Sequence, residues 1–108
     1  MNSGKKITIA TDIGHISAEM MPYLENSCFA LLESNYDKEV LRYSSYPQKL
    51  KARISGPNGH LSNTTCGKLI GHLTQSGLCS VMLGHLSKEN NFPELAYQTV
   101  LEELHNCN

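Results

Sequence analysis

The sequence predicts an α/β fold with its elements in the order β-α-β-α-α-β-α. Two observations lead to it. Three apolar runs of strand length, at 6–11, 28–32 and 78–83, each pass into polar residues at their C-terminal ends. The segments between and after them repeat their apolar residues at helical spacing. Parallel α/β sheets hold their chemistry beyond the carboxyl ends of the strands. The polar residues at those ends are therefore the functional candidates.

Lys6–Thr11 alternates into Ile7 and Ile9 and reads as the first strand; Asp12 follows it and Gly14 breaks it. Ser17 can cap a short helix with Glu19 and Met20 in its first turn, disturbed by Pro22. Cys28–Leu32 is a continuous apolar run, the second strand, and leads into the polar cluster Glu33-Ser34-Asn35-Tyr36-Asp37. Asp37–Tyr43 has helical spacing, with Val40 and Leu41 inward. Gln48–Ile54 is a basic helical turn or two carrying Lys49, Lys51 and Arg53. Gly56-Pro57-Asn58-Gly59 is a loop by composition.

Ser62 or Asn63 caps a helix that runs to about Ser76, with Cys66, Leu69, Ile70 and Leu73 on one face. Gly77 ends it. Leu78–Leu83 is the third strand; Gly84 closes it and delivers His85 at its tip, followed by the polar run Ser87–Asn91. Pro93 suits the first turn of a last helix, Pro93–His105. Its inner stripe is Ala96, Val100, Leu101 and Leu104.

With 108 residues the chain is one domain or part of one. At 40% hydrophobic and 18% charged it is globular in character. A net charge of −1 gives no general footprint for nucleic acid, so such a role needs a local patch. No apolar run approaches the roughly 20 residues of a membrane span, and no membrane partner is expected. The N-terminal stretch lacks the apolar core of a signal peptide. Cys28, Cys66, Cys79 and Cys107 form no C-x-x-C pair. They read as free thiols in a reducing cytoplasm, the expected location.

Each polar candidate has a chemical reading and a plain one. Asp12, between an apolar strand and Gly14, can ligate a metal, and a bridging carboxylate suits a two-metal site; it can equally cap a turn. His85 can ligate a metal through a neutral imidazole, or simply hydrogen-bond at a strand end. His60 enters a helix from a glycine-preceded loop, where it can protonate a leaving oxygen or hold a phosphate; it can also be an ordinary loop residue. Glu33 can orient one of these histidines from behind. Lys49, Lys51 and Arg53 can bind phosphates or form a solvated helix face. His72 and His105 receive no role, and His15, near Asp12, stays open. No phosphate-binding glycine loop, G-x-S-x-G or H-E-x-x-H occurs.

Taken together, the stretches are more specific. Ala10-Thr11-Asp12-Ile13-Gly14, Leu32–Asp37, Tyr46-Pro47 with Leu50–Ile54, Gly59-His60-Leu61-Ser62-Asn63, and Leu83–Asn91 with Pro93-Glu94-Leu95-Ala96 occur in that order. In this the chain resembles the C-terminal half of the metallo-β-lactamase-fold hydrolases, in their YycJ/WalJ-like branch, and its late motifs are placed as in RNase Z. The resemblance covers nearly the whole chain. It implies that Asp12 bridges two metal ions and that His85 is a ligand of the second. It implies that His60 assists the leaving group, with Glu33 as its partner. Intact members are metal-dependent phosphodiesterases or DNA exonucleases. Two divalent ions, zinc or manganese, are implied; they lower the pKa of water and neutralise charge at phosphorus.

The departure from the family pattern is as informative. The His-x-His-x-Asp-His motif of the family's N-terminal half is absent. Asp12 and His85 alone are too few ligands for a catalytic metal, which normally has at least three. Residues 1–108 therefore read as a single partial domain, half of a four-layer αββα sandwich with one sheet face bare. As a hydrolase half it is expected to be inactive alone, awaiting its N-terminal half or a homodimer partner, with DNA as the possible substrate. The alternative is a non-enzymatic binding or oligomerisation module built on a remnant half-fold. A nucleic-acid-binding remnant using Lys49, Lys51 and Arg53 is a third reading.

Overall fold

A computed structural model describes residues 7–11, 19–25 and 27–106. In order they form β1 (Ile7–Ala10), α1 (Met21–Leu24), β2 (Phe29–Glu33), α2 (Lys38–Arg42), α3 (Gln48–Ser55), α4 (Asn63–Thr74), β3 (Ser80–Gly84) and α5 (Pro93–Asn106). The class is α/β, as expected. The expected order is corrected by one helix: α2, α3 and α4 all lie between β2 and β3. The basic segment 48–55 is a helix in its own right although it buries no residue.

The strands form one parallel sheet in the order β1-β2-β3. Ile9, Leu31 and Met82 share one row, and Ala10, Leu32 and Leu83 the next. Side chains alternate between faces along each strand, so the rows sort by face. Ala10, Ala30 and Leu32 enter the core with Cys66, Leu69, Ile70 and Leu73 of α4 and Val100 of α5, and Val81 and Leu83 pack against it. All four α4 residues expected on the inner face are buried there.

The opposite face carries Ile7, Ile9 and Met82, which are 69%, 68% and 58% exposed, with half-buried Phe29 and Leu31 beside them. Parallel sheets are normally covered on both faces. This one presents the apolar row of Ile7, Ile9 and Met82 to solvent.

Helices α4 and α5 pack against each other. A Cβ on Gly67 would lie 2.7 Å from Glu103 Cβ, so the missing side chain lets the two helices close. In α5, Ala96 and Val100 are buried and Leu104 packs on the core, but Leu101 is 40% exposed. That corrects the expected four-residue stripe: one step past Val100 turns the side chain about 100° away from the contact. No helix of the described residues is long and apolar enough to cross a membrane.

Candidate functional site

Parallel pairing puts the C-terminal ends of β2 and β3 side by side, with Glu33 opposite Gly84. The chain then leaves both strands in step. Ser34 N donates to Gly84 O at 3.0 Å, and Ser87 N donates to Asn35 O at 2.8 Å. A third segment joins from the entry to α4. Asn35 N donates to Leu61 O and Asn63 N to Tyr36 O, framing a bridge between Tyr36 and Ser62. The loop before α4 is thereby laid alongside the end of β2, and His60 comes to Glu33.

Gly59 makes that approach possible. A Cβ there would stand 2.2 Å from Ile54 O and 2.3 Å from Arg53 O, inside any allowed contact. The turn closes on His60 N, which donates to Ile54 O at 2.9 Å. Ser62 then caps α4, its Oγ accepting from Thr65 N at 3.1 Å. The cap is Ser62 rather than Asn63, because Asn63 is buried and used elsewhere.

Glu33 Oε2 is the centre of the site. It lies 2.5 Å from His60 Nδ1 and 3.1 Å from His85 Nδ1. The Glu33 side chain is fully buried, while His60 and His85 are 31% and 44% exposed. The two imidazoles stand edge to face, with centroids 5.2 Å apart. A carboxylate only accepts, and it accepts from both rings when each carries its proton on Nδ1. A neutral ring held this way has its lone pair on Nε2. This is the arrangement in which carboxylates orient metal-binding histidines.

His85 adopts a left-handed backbone with φ 55°, uncommon for a residue other than glycine although histidine enters this region more readily than most. Such strain persists only where neighbours enforce it. Asn35 does so, its Nδ2 donating to His85 O at 2.7 Å. Beneath the site lies a buried polar network that the sequence reading did not single out. Ser34 Oγ donates to Asn63 Oδ1 at 2.6 Å, and Asn63 and Asn91 exchange amide hydrogen bonds at 2.9 Å. Asn91 Nδ2 also reaches the carbonyls of Ser34 and Asn35. Short polar side chains in loops have no period to betray them; a run of Asn and Ser at three loop ends is their only trace.

The ligand atoms of Glu33, His60 and His85 all lie within 4.8 Å of one another; a metal held among these three would take the place of the hydrogen bonds to Glu33 Oε2. Imidazole nitrogen and carboxylate oxygen suit zinc, and carboxylate suits manganese. Asp12 and His15 lie outside the described residues. Of the basic trio, Lys51 is half-buried while Lys49 and Arg53 are exposed. His72 pairs with Glu25 at 2.9 Å, away from this cluster. Burial raises the Tyr36 hydroxyl above its ordinary range, offset in part by a hydrogen bond with Ser62. Burial also pushes the Cys66 thiol up to about 12.

The chain is 39% identical over 104 residues to a protein named exodeoxyribonuclease WalJ from Streptococcus pneumoniae serotype 2, strain D39, and equally to its counterpart in strain R6. It is 32% identical over 103 residues to exodeoxyribonuclease YycJ from Bacillus anthracis. These alignments take in 96%, 96% and 95% of this chain. The chain spans 39% of the length of each of these relatives. No family profile matches it, and no solved structure does.

Proposed function

Because the chain is a YycJ/WalJ-like protein over almost its whole length, we propose that it is the C-terminal half of a metal-dependent DNA hydrolase with the metallo-β-lactamase fold. The observation that carries this reading is the Glu33 carboxylate shared by the Nδ1 atoms of His60 and His85. The relatives' names point to DNA as the substrate.

On this reading Asp12 and His85 are metal ligands, and the remaining ligands come from the N-terminal half. Bound zinc or manganese supplies Lewis acidity and charge neutralisation at phosphorus. Glu33 fixes the tautomer of both rings, so that His85 offers Nε2 as a ligand. It holds His60 with Nε2 directed away from the carboxylate. Protonated at Nε2, His60 gives that proton to the leaving oxygen of the phosphodiester.

The apolar row of Ile7, Ile9 and Met82 is then the face that receives the N-terminal half. The same row favours a second reading, in which two copies of this chain cover each other's sheet and no catalysis follows. A face this apolar marks an interaction surface in either case.

The test is metal content by elemental analysis on a chimaera in which this chain replaces the matched stretch of the pneumococcal WalJ relative, beside its Asp12→Ala and His85→Ala variants. Stoichiometric zinc or manganese that both substitutions remove supports the hydrolase reading. A stable dimer of the isolated chain, beside a chimaera that takes up no metal, supports the second.

A further inference from the structure

Beside the Glu33 cluster, on the far side of His60, a cleft of about 720 Å³ opens between α2, α3 and the start of α4. Its size is that of a small-ligand pocket rather than a duplex groove. Its rim is basic, with Lys38, Arg42 and Lys51, and Tyr43 stands on it with 75% of its surface exposed. Helix α3 turns Gln48, Lys51, Ala52 and Ser55 toward the cleft, a single helical face. Lys49 and Arg53 do not line it. Lys51 Nζ donates to Arg42 O at 2.7 Å, so the lysine is held across the gap between α3 and α2. The Arg42 guanidinium stacks 5.6 Å from the Tyr43 ring centroid. Glu39 reaches Arg42 at 3.9 Å, but both side chains are exposed and the pair is weak. His60 belongs to both the cleft and the cluster.

We propose that this cleft seats a single DNA strand and leads its phosphodiester to His60. Lys38 and Lys51 take backbone phosphates, and Tyr43 stacks a base; stacking together with phosphate contacts is how single strands are held without sequence preference. The inference rests on the proposed hydrolase reading for the choice of DNA. It explains a chain of net charge −1 with a local basic site. It also separates Lys51, a strand-binding residue, from Lys49 and Arg53, which form a solvated face.

The experiment is fluorescence anisotropy of a labelled oligodeoxythymidylate with the 108-residue chain, in EDTA, across KCl concentrations. EDTA makes the readout independent of metal, so failure here and failure of the hydrolase reading are separate results. The double variant Lys38→Ala/Lys51→Ala is expected to bind roughly tenfold more weakly and to flatten the salt slope by about 1.4. Tyr43→Ala is expected to lose roughly tenfold, with Tyr43→Phe restoring it because the ring remains. Lys49→Ala/Arg53→Ala is expected to stay within about twofold of the wild type. No single-strand binding at low salt, or equal losses in both double variants, overturns the proposal.

Discussion

Asn63 and Asn91 face each other as a reciprocal amide pair, each Nδ2 donating to the other's Oδ1 at 2.9 Å. Asn63 begins α4 and Asn91 immediately precedes the turn into α5. Through Asn91 the pair also holds the backbone that follows Glu33. Both side chains are buried, so each group that loses its partner keeps its desolvation cost. Asn91→Ala is expected to destabilise the fold by about 2–3 kcal/mol in urea unfolding. Asn90 is a built-in comparison: it is equally buried, yet its Oδ1 has no hydrogen-bond partner among the described residues. Asn90→Ala is expected to cost clearly less than Asn91→Ala.

Glu33→Gln keeps the shape of the side chain and replaces the carboxylate by a neutral acceptor. Both Nδ1 atoms meet the one oxygen Oε2, and an amide carbonyl in its place holds them less strongly than a carboxylate does. The expected result is a 10–100-fold loss of zinc or manganese affinity by competitive titration, with the far-UV circular dichroism unchanged. Unaltered affinity would show that the rings do not depend on this carboxylate.

Much of this architecture was legible beforehand because it is periodic. The α4 stripe of Cys66, Leu69, Ile70 and Leu73, the three strands, and the placement of Glu33 and His85 at strand ends follow from spacing alone. The meeting of His60 with Glu33 was legible only through family resemblance, since 27 residues separate them. The Asn63–Asn91 pair was not legible. Its members lie 28 residues apart and are ordinary loop and cap residues until folding joins them. Leu101 was over-read because an apolar residue next to a buried stripe need not share it.

Cys66 titrates in a direction that couples to stability. Its folded thiol is pushed up to about 12 from an ordinary 9.0, chiefly by burial, so the native state holds the proton more tightly than the unfolded chain. The stabilisation is full below about pH 9 and is lost as pH rises toward 12. Chemical denaturation is expected to give falling stability across that window, with a shallower fall in Cys66→Ala measured relative to its own neutral value. Iodoacetamide under native conditions is expected to label exposed Cys79 and to spare buried Cys66 until the chain unfolds.

Ile9 projects from the open sheet face and is 68% exposed. Ile9→Lys therefore removes little native packing, and its stability change is expected to stay within about 0.5–1 kcal/mol. Binding of a hydrophobic dye such as ANS is expected to fall. A large loss of stability would mean that Ile9 is already covered in the isolated chain.

The most direct measurement is exonuclease activity of a chimaera in which this chain replaces the matched 104-residue stretch of the pneumococcal WalJ relative. The expected result is metal-dependent degradation of DNA by the chimaera. At least a hundredfold loss is expected in each of Asp12→Ala, His60→Ala and His85→Ala, with the fold intact. A folded chimaera without activity, or an active one indifferent to His60→Ala and His85→Ala, would contradict the hydrolase reading.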